Sequence, residues 1–418
     1  MKTGLDFLLA AKRCEIDGLQ RLALTATWVD VTARLVHTLQ RERGLSNMYL
    51  AAQGERHTGA RLTQIAMSRQ VEADWRQQIE RVDASAAQAG PGARLFSRIA
   101  YVLQGLDGLD ALRQRIDERR WDTAQSTEAY VRLIAALLAV VFEAADSASD
   151  PAISRRLVAL FNFMQGKEFA GQERAVGAAM FGSGHAEQAE QQRLLHLIES
   201  QERCLEVVGT YAPPEIRAML SAPHVSATLA DLERLRRVLC TTTQGSVLKP
   251  ELSQVWFDTC TARIDAMKAV EDRLTQDLGE ACSAKIAQAQ AELASFGAIS
   301  ADAPPDPLDF YQAAGDGAQA AQASKSFALT LERSVLDLVH DQAKRLQAMG
   351  DELEAVRASL NERRVIERAK GLLMAHRHLS EAEAHKTLRQ MAMNQNRRIV
   401  DVAEAVLAMA DVLPAARS

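Results

Sequence analysis

Long apolar runs are missing from this sequence. The longest, Leu133–Phe142, has ten residues, about half of the ~20 a helix needs to cross a hydrocarbon core. Met1-Lys2 is not followed by a signal-peptide core and cleavage site. Cysteine is scarce as well: Cys14, Cys204, Cys240, Cys260 and Cys282 are odd in number and include no CxxC pair. That excludes a disulfide frame and a cysteine zinc site, and with the missing membrane span it predicts a reduced, cytoplasmic protein. Alternating Val/Ile/Thr segments between turn residues are essentially lacking, which removes the signature of strands. There is no global basic excess, because 49 Lys+Arg face 54 Asp+Glu for a net charge of −5. A nucleic-acid coat over the whole surface is thereby excluded, whereas a local basic patch is not. Disorder of the whole chain is excluded too, since 47% of residues are hydrophobic and 25% charged.

The ten prolines show where helices are free to run. They are confined to Pro91, Pro151, Pro213, Pro214, Pro223, Pro250, Pro304, Pro305, Pro307 and Pro414. A proline inside a helix costs about 3 kcal/mol, and the intervals are rich in the strong helix formers Ala, Leu, Gln, Glu and Arg. Helical spacing recurs in them, as in Val31, Leu35, Leu39 and in Val131, Ile134, Leu138, Val141. The expected fold is all-α. It comprises a long-helix bundle over 1–297, a linker over 298–325, a coiled-coil connecting helix over 326–360, and a small three-helix C-terminal domain over 361–418. The linker holds Pro304, Pro305, Pro307, Gly315 and Gly317. In the connecting helix, Val339, Leu346, Leu353 and Leu360 occupy a positions and Val335, Gln342, Met349 and Val356 d positions. This stripe predicts a homodimer seam, with Gln342 helping to set register. The other reading of the same stripe is an amphipathic helix packed on its own domain.

From Leu360 onward ten Lys+Arg face seven Asp+Glu, a balance of +3, whereas the rest of the chain carries −8. Arg363, Arg364, Arg368 and Lys370 cluster at the start of this piece, followed by Arg377, Arg389, Arg397 and Arg398. Ile366, Leu372 and Leu373 mark the apolar side of a first helix. Ser380-Glu381-Ala382-Glu383 reads as a capping box that opens a second, with Leu388, Met391 and Ala392 inward. The third follows Asn396-Arg397-Arg398 with Ile399, Val402, Ala403 and Val406 as its core side. The run Arg364-Val365-Ile366-Glu367-Arg368-Ala369-Lys370-Gly371-Leu372-Leu373-Met374, then Ala384, Leu388-Arg389, Met391-Ala392 and Val402-Ala403, resembles the ANTAR domain. The resemblance implies a three-helix RNA-binding module that holds paired hairpins of a leader RNA, excludes the terminator and so reaches the transcription complex indirectly. The eight cationic residues just named are then the candidate RNA contacts. Their chemistry suits duplex RNA, which is read by shape, phosphate and 2′-hydroxyl contacts. No Phe, Tyr or Trp follows Leu360, so a stacking platform for unpaired bases is not expected. A basic cluster alone is more often a solvated helix face.

Three segments of the long block place arginine beside apolar helix positions. They are Leu39-Gln40-Arg41-Glu42-Arg43-Gly44-Leu45-Ser46, then Phe163-Met164-Gln165-Gly166-Lys167-Glu168 with Ala170-Gly171-Gln172-Glu173-Arg174-Ala175, and Leu232-Glu233-Arg234-Leu235-Arg236-Arg237-Val238. They resemble the signature segments of the NIT domain, an all-helical nitrate and nitrite sensor. NIT, coiled coil and ANTAR in this order is the arrangement of nitrate-responsive antiterminators. The resemblance implies that Arg43 and Arg236 bind nitrate or nitrite as effector, that Arg174 supports the site or its signal, and that Arg237 is a reserve candidate. A planar anion of charge −1 suits guanidinium forks, which stay charged when desolvated. The residues alone leave a second reading open, in which Arg43 and Arg174 form buried ion pairs with Glu42, Glu168 or Glu173.

An enzyme finds little support. No His lies three residues after a Glu, as paired di-iron ligands require. His376 and His378 fall on different helix faces, and His378 and His385 lack ligand partners, which predicts a solvated or RNA-facing role. Gly182-Ser183-Gly184 follows no strand and reads as a helix terminator, not a phosphate loop. No metal and no organic cofactor is expected. The competing function is a helical scaffold or protein-interaction adaptor with an RNA-binding tail and no small ligand.

Overall fold

The computed structural model describes residues 4–80, 92–242, 247–298, 335–377, 379, 381–395 and 397–410. Every extended regular element among them is an α-helix: α1 (Gly4–Ala51), α2 (Thr58–Glu80), α3 (Gly92–Asp107), α4 (Leu109–Asp117), α5 (Thr123–Ser147), α6 (Pro151–Ser183), α7 (Gln188–Tyr211), α8 (Pro214–Leu220), α9 (Pro223–Thr241), α10 (Leu252–Ala298), α11 (Val335–Arg377), α12 (Glu381–Gln395) and α13 (Ile399–Ala410). Prolines open α6, α8 and α9, where the missing N–H would have no intrahelical partner in any case. Asp150 caps α6 by accepting from the Ala152 and Ile153 amides, and its second oxygen takes Lys285 at 2.7 Å. Gly184, at φ 72°, ends the same helix in the left-handed region open to glycine, as the Gly182-Ser183-Gly184 sequence predicts.

Two bundles share the long helices. Helices α1, α2, α3 and α5 surround one large core that extends along α6 and α10, and a smaller one, with Met180, Phe181, Leu194, Leu232, Leu239 and Trp256, lies among α6, α7, α9 and α10. Helix α1 also runs along α10, with Lys12 near its N-terminus paired to Glu292 near the far end of α10. The predicted stripes face inward: Leu35, Leu39, Ile134, Leu138 and Val141 are buried, and Val131 is half-buried. Helices α6 and α10 approach closely at Gly177, where a Cβ would lie 2.3 Å from the Trp256 ring. Trp256 is buried and donates Nε1–H to the Arg174 carbonyl at 3.0 Å. Gly177→Ala is therefore expected to cost about 1–3 kcal/mol by overpacking, read as a drop of several degrees in Tm by differential scanning calorimetry. An unchanged Tm would mean that this crossing is slack.

The C-terminal module has its own core of Ala369, Leu373, Ala384, Leu388, Ala392, Val402, Ala403 and Val406. Its first helix is not separate: α11 is continuous through 360–361, so connecting helix and first domain helix are one 43-residue element. The heptad stripe divides along it. Val356 and Leu360 join the sensor's own core, which corrects the expected seam at these positions in favour of packing on the same chain. Leu346 is exposed, and Met349 and Leu353 are half-buried. The side chains of Val335, Val339 and Gln342, together with Ser380, His378, Asn396 and the linker beyond Ala298, lie outside the described residues.

Candidate anion site and the basic face of the C-terminal module

Helix α6 carries two buried carboxylates, Glu168 and Glu173, and arginines from three other helices converge on them. From α1, Arg43 places its fork on Glu168, with Nη2 at 3.2 Å from Oε2 and Nη1 bonded to Oε1. Gln40 and Gln172 add donors to the same carboxylate, each at 2.9 Å. From α9, Arg236 grips Glu173 through Nε at 2.6 Å and Nη2 at 2.7 Å. Gln201 of α7 donates to Glu173 at 2.7 Å, and Arg263 of α10 stands 3.5 Å from that carboxylate. Glu42 is not available to Arg43, because Arg113 and Tyr130 hold it in a separate buried network.

Two glycines make room for the forks. A Cβ on Gly171 would lie 2.8 Å from Arg43 Nη2, and one on Gly44 would lie 3.1 Å from Arg174 Nη2. Arg174 has no carboxylate within ion-pair distance among the described residues. It donates to Thr261 Oγ1 at 2.9 Å and lies over the Phe257 ring at 4.8 Å. Burial, then the charge of Arg43, pushes its pKa down. Arg263 is lowered likewise by burial and then by Arg236. For Arg236 burial opposes the charge, yet the hydrogen bonds and charge of Glu173 prevail and its pKa is raised. Four guanidiniums thus surround two buried carboxylates, with Glu233 reaching Arg236 from the surface. The buried cluster has a positive excess, the electrostatic condition for holding an anion in a site poor in water.

In the third segment the structure distinguishes the arginines by burial. Arg236 is buried, while Arg234 and the reserve candidate Arg237 are exposed. It does not bring Arg43 and Arg236 onto one point. Their carboxylates are five residues apart on α6, a rise of about 7.5 Å and a turn of about 140°. Sequence reasoning missed Arg263 and Gln201. The available signal was an arginine bordering the apolar series Cys260, Ile264, Met267 on one helix.

A family model described as nitrate and nitrite sensing, NIT, matches residues 34–279. This chain belongs to the NIT family. The ANTAR domain model matches residues 354–407, so the NIT sensor and ANTAR module occupy the two parts of the fold just described. A nitrate regulatory protein of Klebsiella oxytoca is 34% identical over 407 residues, spanning 96% of this chain and 94% of that protein. The solved structure of the NasR transcription antiterminator aligns with a TM-score of 0.62 and 32% identity, covering 98% of this chain and 99% of that one. No helix among the described residues is long and apolar enough to cross a membrane.

Much of the ANTAR basic face is turned against the NIT sensor. Arg363 donates to Asn162 Oδ1 at 2.5 Å and lies over Phe161, while Arg364 pairs with Asp146 at 2.8 Å over Phe142. Arg389 donates to Glu199 at 2.7 Å, and the rings of His385 and His196 meet at 5.2 Å. His385 is therefore buried against the sensor, a correction to the solvated role expected for it, and its pKa is lowered to about 3, by burial first and then by Arg203. Lys370 is another correction. It is buried in the ANTAR module with its ammonium on Glu367 and Glu381, and as placed it cannot reach a phosphate without giving up both. Arg398 pairs at the surface with Glu362. Arg368, Arg377 and Arg397 are exposed, with no carboxylate partner among the described residues.

Proposed function

We propose that this protein is a nitrate- or nitrite-responsive transcription antiterminator that uses no metal or organic cofactor and catalyses no reaction. The observation that carries the reading is the buried cluster of four arginines around two carboxylates, built from the NIT segments, in a chain whose ANTAR arginines rest on the same sensor. Nitrate presents two coplanar oxygens to a guanidinium much as a carboxylate does. It therefore takes the places of Glu168 on Arg43 and of Glu173 on Arg236. Because those positions lie on different sides of α6, occupying both with one anion requires α1, α6 and α9 to shift, and α6 also carries the Asn162 and Phe161 contacts to Arg363. The shift releases the ANTAR module, whose Arg363, Arg364, Arg368, Arg377, Arg389, Arg397 and Arg398 then contact a leader-RNA hairpin. Nitrate switches the protein only because it binds the released arrangement more tightly than the docked one. The exposed Leu346 with Met349 and Leu353 supplies what remains of the heptad stripe for a homodimer.

The test is calorimetric titration with nitrate, followed by leader-RNA binding with and without it. No heat and no nitrate effect on RNA binding would favour the adaptor without a ligand. In the same RNA assay Arg368→Ala is expected to lower the salt slope by roughly one unit. Lys370→Ala should instead lower the melting temperature of the ANTAR module. A full unit of slope lost with no loss of stability would place Lys370 on the RNA after all.

A further inference from the structure

If nitrate takes the fork of Arg236, the Glu173 carboxylate must go somewhere. It is buried, with 1% side-chain exposure, and a carboxylate left unpaired in such a place either costs several kcal/mol or takes up a proton. The groups facing it are few. Helix α9 offers Arg236, already spoken for, with Glu233 and Cys240; α7 offers Gln201; α10 offers Cys260 and Arg263. Glu233 repels it, and the thiols of Cys240 and Cys260 are both pushed up by burial and hold their protons. Two cations nearby, Arg174 and Arg263, hold no hydrogen bond to a carboxylate; Arg174 is engaged by Thr261 and the Phe257 ring, and of the two only Arg263 stands within ion-pair distance of Glu173. Its Nη1 bonds Gln201 Oε1 at 2.7 Å and already stands 3.5 Å from Glu173. Gln201 keeps the two arginines in register, since its Oε1 also accepts from Arg236 at 3.3 Å while its Nε2 donates to Glu173.

Resting on the nitrate site proposed above, we infer that Arg263 is the positioning residue of the switch: it receives Glu173 when the anion displaces that carboxylate from Arg236. Glu173 exchanges a partner on α9 for one on α10, Glu168 keeps its Gln40 and Gln172 donors when it leaves Arg43, and the buried cluster binds an anion without a change in protonation. Burial and the charge of Arg236 destabilise the guanidinium of Arg263 in the present arrangement, which favours the exchange. The exchange draws α6 toward α10 and away from α9, coupling anion binding to the helix on which the ANTAR module rests.

The consequence is a proton count. Nitrate binding to the full-length protein should be flat from pH 6 to 8 and release or take up no proton, measured calorimetrically in buffers of different ionisation enthalpy. In Arg263→Gln the displaced Glu173 has no cation to meet. Nitrate affinity at pH 8 should fall about ten- to hundredfold, and recover by up to about tenfold per pH unit on acidification as one proton is taken up with the anion. Arg263→Lys, which restores the charge, should return the flat profile. The double variant Glu173→Gln with Arg263→Gln removes both charges, and nitrate affinity should recover without proton uptake. A merely structural arginine would lower stability in every variant and leave the proton count at zero. The inference is overturned if Arg263→Gln binds nitrate with unchanged affinity and a flat profile, or if the double variant is as weak as the single one, which would make Arg263 itself an anion contact. Loss of nitrate binding in Arg236→Lys alongside normal behaviour of all Arg263 variants would sink this inference and leave the anion site standing. Absence of nitrate binding by the unaltered protein would remove both.

Discussion

Arg43→Lys and Arg236→Lys are expected to lose most of the nitrate response. Each keeps a charge but exchanges the planar fork for a point donor, and a charge-assisted hydrogen bond contributes about 1.5–3 kcal/mol, a ten- to hundredfold loss of affinity. Geometry adds a second effect, because both forks close on buried carboxylates. The lysine variants should therefore melt earlier as well, and a fall in Tm does not by itself distinguish a structural arginine from a sensing one. The other half of each pair does. Glu168→Gln and Glu173→Gln retain an oxygen acceptor but remove the carboxylate that competes with nitrate, so they should melt earlier and bind nitrate more tightly. Loss of stability with opposite signs in affinity is the signature of a displaceable counter-ion. If the glutamine variants bind nitrate more weakly, or if the lysine variants bind it normally, these pairs are structural and the anion sits elsewhere.

Asp146→Lys should make RNA binding independent of nitrate. Asp146 pairs with Arg364 of the ANTAR module at 2.8 Å and with Arg94 at 3.0 Å, and a lysine there sets a like charge against a half-buried guanidinium lying over Phe142. The docked arrangement is penalised while the free module is untouched. Without nitrate, the variant should hold leader RNA about as well as the unaltered protein does with it, at least a tenfold gain, which corresponds to about 1.4 kcal/mol. Reciprocity makes a second demand: weakening the docked state must tighten nitrate, because anion and RNA favour the same released state. An Asp146→Lys protein that still requires nitrate for RNA binding would show that the Arg364 contact is not what masks the module. A gain in RNA binding without a gain in nitrate affinity would separate the two halves of the switch.

Local rules carried the reading of elements a long way. Proline spacing and helical periodicity were enough for an all-helical chain with its helices confined to the intervals between prolines and a stop at Gly184. The same rules outlined the ANTAR helices that end in α12 and α13, because caps and stripes act over a few neighbouring residues. Even the arginine segment Leu232–Val238 was legible up to register, and burial distinguishes Arg236 within it. What the chain alone could not decide is which opposite charge each cation meets. Arg43 meets Glu168 across 125 residues of sequence and Arg236 meets Glu173 across 63, and no local propensity distinguishes these partners from Glu42, which Arg113 takes from 71 residues away. Lys370 looks identical to Arg368 in a basic cluster; only the packing of α12 beside α11 brings Glu381 to it and buries it. The heptad positions Val356 and Leu360 carry the same apolar code for a partner helix and for the side of α6, and their place in the sensor's core became visible only when the bundles were assembled. Short-range sterics and periodicity are written in the order of residues. Counter-ion choice and the destination of an apolar face depend on surfaces that exist only after distant helices have packed, which is why the parts of this protein could be read from its sequence and its switch only from its fold.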